Sequence, residues 1–209
     1  MVAVKLARGV QLRQAGVEIN LDYAAVTGLD HLRFKKAIHG IIGFPLFSKY
    51  IVEIDYRGSA VRIYSPKDYR PSSGGHVIRV WMTDGPTVRG RLKLPEQETL
   101  ETDFQVDTGS SHVLTICKPF VDKHRMLDKV KDLRRGQTLG LGGASPDMVG
   151  RIDSVAVGPY SVHNPDVRFS TNSSGSLASN RFSANLGNGF LNRYTVIFDL
   201  PNLRLILTH

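Results

Sequence analysis

The sequence predicts a mainly β fold, and three observations support this prediction. Twenty glycines and ten prolines are scattered between short, alternating apolar stretches, which is typical of a protein with many strands and turns. A unit of about fourteen residues occurs twice, at 42–55 and 186–199. An apolar strand at 99–106 runs directly into Asp107-Thr108-Gly109-Ser110, where the chain must turn.

One copy of the repeat lies in the first third of the chain, and the other lies near its C-terminus. At an offset of 144 (187 minus 43), four residues are identical between the copies: Gly43, Tyr50, Val52 and Asp55 fall on Gly187, Tyr194, Val196 and Asp199. Both copies continue through a short turn into a further apolar strand, at 61–64 and 203–207. One supersecondary unit is therefore predicted to occur twice.

In the first half of the chain, each element follows from local patterning. Alternation predicts a strand, a glycine turn followed by proline predicts a short helix, and a run of Pro, Ser and Gly predicts a linker. The predicted elements are a strand at Val17–Val26, a short helical or irregular connection at Leu29–Lys36, a short helix at Phe44–Lys49, a hairpin of Ile51–Tyr56 and Ala60–Tyr64, and a Pro/Ser/Gly-rich segment at Ser65–Gly75.

The second half begins with a hairpin around an Asp-Gly turn and continues into the strand before Asp107. Basic and apolar residues interleave between Lys118 and Arg135, which predicts an amphipathic helix. The predicted elements are strands at His76–Met82, Thr87–Leu94 and Thr99–Val106, a helix within Lys118–Arg135, a glycine cluster at Leu139–Ser145, and an alternating strand at Val149–Val157.

The loop that begins at Asp107 carries the chemistry. A carboxylate at a tight turn can be held rigidly, because Gly109 lets the chain bend and neighbouring hydroxyls and amides can hydrogen bond to it. An ordinary turn capped by an aspartate is the alternative interpretation.

Together, the loop and the repeat resemble the retropepsin-like aspartyl proteases of bacteria, in the form with two tandem lobes. Asp107-Thr108-Gly109-Ser110 matches the active-site loop of that family, and Asn185-Leu186-Gly187 followed by 195–199 matches the closing motif of a lobe. Ile41-Ile42-Gly43 followed by 52–56 matches the closing motif a second time. The resemblance covers 76–209 as a complete lobe, expected to be a closed β barrel, and 1–70 as the C-terminal part of another lobe, with 71–75 as the linker.

The resemblance implies a role for each site residue. It implies that Asp107 is catalytic, that Thr108, Gly109 and Ser110 support it, and that Leu186 and Gly187 form the crossing called the psi-loop. It also implies that the hairpin containing Gly142 and Gly143 is a flap over a peptide substrate, although an ordinary mobile turn is an equal alternative.

The first lobe lacks its own acidic loop. The repeat places the counterpart of Asp107 at position −37 (107 minus 144), and no Asp-Thr-Gly or Asp-Ser-Gly precedes Ile41. Aspartic peptidases use two carboxylates that share a proton, one acting as base and the other as acid. The chain is therefore expected to be an N-terminally truncated two-lobe peptidase, weak or inactive alone. A homodimer is a possible source of the second carboxylate, and an inactive pseudo-protease or peptide-binding module is the alternative function.

Composition and charge indicate which partners, cofactors and membrane segments are to be expected. The net charge of +8 is spread over both halves, and the densest basic stretch reads as a solvated helix face. Nucleic acid is therefore not predicted as a partner. The resemblance implies a peptide or protein substrate, and a basic surface for an anionic partner is the third hypothesis. No apolar run is long enough for a membrane helix, and the first residues lack the layout of a signal peptide, so localisation is left open. A single cysteine and unpaired histidines predict neither a cofactor nor a metal site.

Overall fold

The computed structural model describes residues 4–14, 16–29, 38–71 and 74–209. Strands make up 49% of the residues and helices 12%, which confirms the mainly β prediction. The strands are β1 (Lys5–Gln14), β2 (Val17–Val26), β3 (Ile51–Asp55), β4 (Ala60–Tyr64), β5 (His76–Arg79), β6 (Trp81–Met82), β7 (Pro86–Lys93), β8 (Thr99–Val106), β9 (Leu114–Ile116), β10 (Arg134–Gly140), β11 (Gly143–Arg151), β12 (Ser154–Val157), β13 (Tyr160–His163), β14 (Asp166–Ser170), β15 (Ala184–Leu186), β16 (Thr195–Asp199) and β17 (Arg204–Thr208). The helices are α1 (Phe44–Phe47), α2 (Lys118–Lys123) and α3 (Asn188–Leu191), and single 3₁₀ turns lie at Met126–Asp128, Ser176–Ala178 and Leu200–Asn202.

The described strands form three sheets. β1 and β2 make a two-stranded hairpin, while the largest sheet has the order β10-β11-β14-β9-β15-β8-β7-β12-β13, with β6 paired to β7. This large sheet curls into a half-barrel. The fully buried side chains of this sheet include Val88, Phe104, Ile116, Phe169 and Leu186. Burying this many large apolar side chains is the main stabilising contribution to the second half.

The third sheet joins the two ends of the chain. Its order is β4-β3-β16-β17-β5, so strands from the first half and the second half hydrogen bond directly. β3 pairs antiparallel with β16, and Glu53 lies opposite Ile197. These two residues are 144 apart (197 minus 53), so repeat-equivalent residues face each other at the centre of the junction. The register is that of a local two-fold axis between the halves.

The repeat predicted from sequence is confirmed element by element. α1, β3 and β4 have the same bounds as α3, β16 and β17 after 144 is added to each number. Gly43 and Gly187 both precede the short helix. The two copies therefore share a glycine turn, one helical turn and a strand pair.

Several sequence-based boundaries are reproduced. β2, β4 and β8 have the predicted bounds, and the predicted strand at 51–56 ends one residue early, at Asp55. The predicted helix at Phe44–Lys49 ends at Phe47, and the predicted strand at His76–Met82 divides into β5 and β6. Most of the predicted connection at Leu29–Lys36 lies outside the described residues, as do Ser72 and Ser73 of the linker.

The segment at 65–71 is packed rather than detached. Tyr69 is buried in a small apolar cluster with Ile51, Ile197 and Ile206. This cluster lies on the third sheet, so the segment helps to hold the two ends of the chain together. The linker predicted at 71–75 is thus preceded by a segment that is packed against the third sheet.

The predicted long helix between Lys118 and Arg135 is wrong. The structure has α2, one 3₁₀ turn and then β10 from Arg134. Arg125 and Asp132 adopt positive φ of 50° and 54°, which an α-helix does not allow. Turning the chain at these residues buries Val121, Met126 and Val130 against the half-barrel, so tertiary packing overrides the helical periodicity.

The predicted strand at Val149–Val157 is two strands. β11 pairs with β14 and β12 pairs with β7 and β13, and the chain passes between these partners at Ile152 and Asp153. Ile152 is buried at the break. Val149 and Ile152, and then Ile152 and Val155, are three residues apart rather than two, so the alternation changes phase at the break, which the sequence-based prediction overlooked.

Candidate active site

Asp107 lies in the first turn after β8, at a crossing of three strands. β15 lies between β8, to which it runs parallel, and β9, to which it runs antiparallel. The loop 107–113 connects β8 to β9 and therefore must pass over the C-terminal end of β15. The main-chain N–H of Asp107 donates to Leu186 O at 2.9 Å, which fixes the start of the loop on β15.

Two donors hold the Asp107 carboxylate. Oδ1 accepts a hydrogen bond from the Gly109 main-chain N–H at 2.7 Å, and Oδ2 accepts one from Asn185 Nδ2 at 2.9 Å. Hydrogen bonds to an ionised carboxylate are stronger than neutral ones. The carboxylate is half-buried and held on both oxygens.

The hydroxyls of Thr108 and Ser110 are not donors to Asp107 among the hydrogen bonds of the described residues. The carbonyl oxygens of these residues accept bonds instead: Thr108 O from Asn188 Nδ2 at 2.6 Å, and Ser110 O from the Asn188 N–H at 2.7 Å. The orienting role predicted for the two hydroxyls stays a prediction. The structure shows that their main chain anchors the loop to the start of α3.

Gly187 lies against the Asp107 loop, where the sequence predicts it. Its N–H donates to Val113 O at 3.2 Å. An alanine Cβ at this position would collide with the His112 carbonyl oxygen and lie 2.7 Å from Ser110 O and 2.8 Å from Ser110 Oγ. Only glycine permits two segments of backbone to approach this closely. Leu186 is completely buried directly before it.

The first half also reaches the loop. Tyr56 Oη donates to Asn188 Oδ1 at 2.5 Å, and Asn188 in turn donates to Thr108 O. Burial raises the pKa of Tyr56 to about 12, so its hydroxyl stays a donor through neutral pH. A chain of two hydrogen bonds therefore runs from the end of β3 to the residue after Asp107.

The hairpin predicted as a flap is present as β10 and β11. Gly140 pairs with Gly143 across a two-residue turn at Leu141-Gly142, and Gly143 has a φ of +106°. Leu139 and Leu141 are exposed near its tip. The structure does not distinguish a flap from an ordinary turn, so that role also stays a prediction.

A buried ion pair stabilises the base of this hairpin. Asp147 is buried and accepts bonds from Arg168 Nη1 at 2.8 Å and from Thr138 Oγ1 at 2.6 Å. Burial, followed by the charge of Arg168, lowers the pKa of His112 in the Asp107 loop. The loop and the base of the hairpin therefore lie within electrostatic range of each other.

Other chemistries find little support. Cys117 is buried, and burial raises the pKa of its thiol to about 12, which is the opposite of an activated nucleophile. Across residues 4–14, 16–29, 38–71 and 74–209, no cluster of three His, Cys, Asp or Glu side chains could hold a metal ion. The same residues contain no helix long and apolar enough to cross a membrane.

Sequence reasoning missed three residues of this site. Asn185, Asn188 and Tyr56 supply its side-chain hydrogen bonds, and only the backbone crossing reveals their contacts. The available signal was position: Asn185 and Asn188 flank the Leu186-Gly187 pair, which the resemblance already placed beside the loop.

No protein-family model matches this sequence, and no curated protein matches it. Among solved structures, the chain is similar to the crystal structure of a retropepsin-like aspartic protease from Rickettsia conorii. The match has 20% sequence identity and a TM-score of 0.45, and it covers 64% of this chain and 89% of that one.

Proposed function

We propose that this chain carries one half of an aspartic peptidase active site, with Asp107 as its catalytic carboxylate. The observation that supports the proposal best is the fixed carboxylate: Gly109 N–H and Asn185 Nδ2 hold its two oxygens at a strand crossing that requires glycine at 187. A rigidly held, half-exposed carboxylate is the group that water activation needs.

In the proposed reaction, Asp107 and a second carboxylate bind one water molecule and share one proton. The ionised carboxylate removes a proton from the water as the water attacks the peptide carbonyl, and the protonated one donates its proton to the carbonyl oxygen, giving a gem-diol. The first carboxyl group then returns its proton to the amide nitrogen as the C–N bond breaks, and a hydroxyl of the gem-diol gives its proton to the other carboxylate, so that a carboxylic acid and an amine leave and the pair regains its starting protonation. The two donors to Asp107 keep its oxygens oriented, which lowers the cost of placing the water. Thr108, Gly109 and Ser110 shape the loop, and Leu186 and Gly187 support it from beneath.

The Asp107 loop supplies one carboxylate, so the second must come from another segment or from another molecule. A homodimer built on the third sheet is disfavoured, because β3 already pairs with the edge of β16 that would face a second copy. The proposal is therefore a peptidase that has little activity unless a second carboxylate is supplied.

The test is peptide cleavage across acidic and neutral pH by three proteins: the chain, its Asp107→Asn variant and the Asp122→Asn variant. Asp122 is exposed on α2 and serves as the charge-matched control. We expect cleavage to be weak in the chain, unchanged in the control and lost in Asp107→Asn, by about 10²-fold or more where it is measurable. Cleavage that survives in Asp107→Asn refutes the proposal.

The second candidate is a peptide-binding module without hydrolysis, favoured by the absence of a second acidic loop before residue 41. In that case the exposed tip of the β10–β11 hairpin would contact bound peptide. Binding measured by calorimetry, with no cleavage under any condition, would identify this function.

A further inference from the structure

A row of three polar side chains crosses the large sheet beside Asp107. Asn185 on β15 lies opposite Thr115 on β9, and Thr115 lies beside Arg168 on β14. Side chains of residues paired in this way point to the same face of a sheet. Because Asn185 Nδ2 donates to Asp107 Oδ2, this face is the one that carries the Asp107 carboxylate. Arg168 therefore lies on the same face as the candidate catalytic group.

The opposite face of these strands is packed into the core. Its residues at the adjacent positions are Ala184, Ile116 and Phe169, and all three are fully buried. Asn185 and Arg168, by contrast, remain partly exposed. Both ends of the polar row are therefore accessible from solvent, one next to Asp107 and the other at Arg168.

Arg168 is held through only one of its guanidinium nitrogen atoms. Nη1 donates to both carboxylate oxygens of Asp147, at 2.8 Å each, and Asp147 Oδ2 also accepts the bond from Thr138. Within residues 4–14, 16–29, 38–71 and 74–209, Nε and Nη2 of Arg168 make no hydrogen bond. Gly136 leaves room for the ion pair, because a Cβ at this position would collide with Asp147 Oδ1 and lie 2.9 Å from Arg168 Nη1.

The free edge of the guanidinium has the geometry that binds a carboxylate. The N–H groups of Nε and Nη2 form a planar fork, to which the two oxygens of a carboxylate bind together. The side chain of Arg168 is 20% exposed and that of Asp147 is 3% exposed, so the accessible part of the ion pair offers donors and no acceptor. A carboxylate accepts with both oxygens, whereas a carboxamide has one acceptor oxygen, so this site favours an acid.

The spacing of the strands places the fork near the Asp107 carboxylate. Arg168 is two strands away from Asn185, and neighbouring strands lie about 4.8 Å apart, so the separation is about 10 Å. An extended peptide advances about 3.4 Å per residue, so about three residues cover this distance. Arg168 also acts on the Asp107 loop, since its charge adds to burial in lowering the pKa of His112.

We propose that Arg168 is a specificity-determining residue that binds an acidic side chain of the peptide substrate, within about three residues of the bond that is cleaved at Asp107. The carboxylate of the substrate accepts from Nε and Nη2, while Nη1 stays on Asp147. The net charge of +8 favours the approach of an acidic peptide. That the ligand is a peptide rests on the proposed function; that it is acidic rests on the geometry of Arg168.

The test is the binding of matched peptide pairs to the chain at pH 7, measured by calorimetry. Each peptide of about ten residues carries a single glutamate in an otherwise uncharged sequence, and the glutamate moves by one position from peptide to peptide. The matched peptide has glutamine at the same position. At the best position, we expect the glutamate peptide to bind at least about tenfold more tightly at low salt, because hydrogen bonds between charged groups are the stronger ones. The ratio should fall as salt is added.

Three variants show whether Arg168 causes the preference. Replacing Arg168 alone leaves Asp147 buried without its partner, so the neutral pair Arg168→Gln/Asp147→Asn is used, and it should reduce the ratio to about one. Arg168→Lys keeps the charge but lacks the fork, and it should reduce the ratio several-fold. Arg135→Gln is the charge-matched control and should leave the ratio unchanged, since Arg135 is exposed on β10 and, opposite Met148, points to the other face of the sheet.

The outcomes separate the role of Arg168 from the proposed function. Equal binding of the glutamate and glutamine peptides, binding of neither, or a ratio that persists in both Arg168 variants overturns the proposal. Cleavage of the same peptides reports on Asp107. A glutamate preference without cleavage supports the role of Arg168 and counts against the peptidase. Cleavage that depends on Asp107 but shows no preference supports the peptidase and overturns the role of Arg168.

Discussion

Replacing Gly187 by alanine should destabilise the protein far more than the same change at Gly43. Both glycines precede a four-residue helix, and neither has a positive φ, so backbone strain does not distinguish them. The difference is steric. At 187 the added methyl group meets the His112 carbonyl oxygen and lies 2.7 Å from Ser110 O, while at 43 it meets open space.

The expected magnitudes follow from these contacts. Forcing an extra methyl group into a closely packed site costs about 1–3 kcal/mol. In a protein of this size, about 2–4 °C of melting temperature is lost per kcal/mol, so Gly187→Ala should melt about 2–12 °C lower. At Gly43, the weaker helix cap and the lower entropy of the unfolded chain oppose each other, each being worth about 1 kcal/mol or less, so the change should be within about 2 °C.

Calorimetric melting of the two variants and the parent, at one pH and concentration, checks this prediction. Circular dichroism provides the control that both variants keep their strand content. Equal losses at 43 and 187 would show that the loop does not rest on Gly187, and the geometry of the crossing would then be wrong. A loss at 43 alone would contradict the assignment of the two repeats.

Three further predictions concern individual side chains. In an active form of the protein, Asn185→Ala should lower kcat by about tenfold and change KM less, because it removes a hydrogen bond to a charged carboxylate. Asn180→Ala, at an exposed position, is the control, and equal effects of the two substitutions would refute the role of Asn185. Tyr56→Phe should cost about 0.5–1.5 kcal/mol in urea unfolding at pH 7 through the lost bond to Asn188. Because burial raises the pKa of Tyr56 to about 12, the parent should also lose stability as the pH rises from about 10, where the unfolded tyrosine ionises. Tyr56→Phe should show a smaller loss, since burial raises the pKa of Tyr64, Tyr69 and Tyr194 too and their share remains. The hydrogen bond from Arg134, assisted by one from Arg151, lowers the pKa of Asp166. This carboxylate therefore stabilises the fold above its unfolded pKa of about 3.9, and the stabilisation disappears as the pH falls through the folded pKa. Asp166→Asn should lower the free energy of unfolding by at most about 1 kcal/mol at pH 7 and not at all at the acid end, and a loss that is independent of pH would contradict this prediction.

Local sequence patterns were sufficient to predict part of the fold. The bounds of β8 and the turn at Asp107 follow from alternation that ends in Asp-Thr-Gly, and the repeat at 42–55 and 186–199 predicts matching elements that the structure contains. Each of these depends on residues close together in the chain.

The features that sequence reasoning missed depend on pairing across long separations. β1 was not predicted: Arg8 interrupts the apolar register of Leu6, Val10 and Leu12, although β1 pairs with β2 along nearly its whole length. The helix expected after Lys118 gives way to turns that bury Met126 and Val130. The contact of Asn185 with Asp107 joins residues 78 apart, and no local pattern shows which side chains will meet at a crossing.

The register of β3 against β16 carries an implication about ancestry. When two identical subunits associate about a two-fold axis, a residue on that axis faces its own copy, and every contact occurs twice. Here Glu53 faces Ile197, its equivalent after 144 residues, so the β3–β16 pairing has the geometry of a subunit interface between two identical chains. Duplication and fusion of a gene whose product was a homodimer would leave this arrangement. After fusion, each half can change independently of the other. The pairing of a glutamate with an isoleucine at the axis shows such a difference between the two halves.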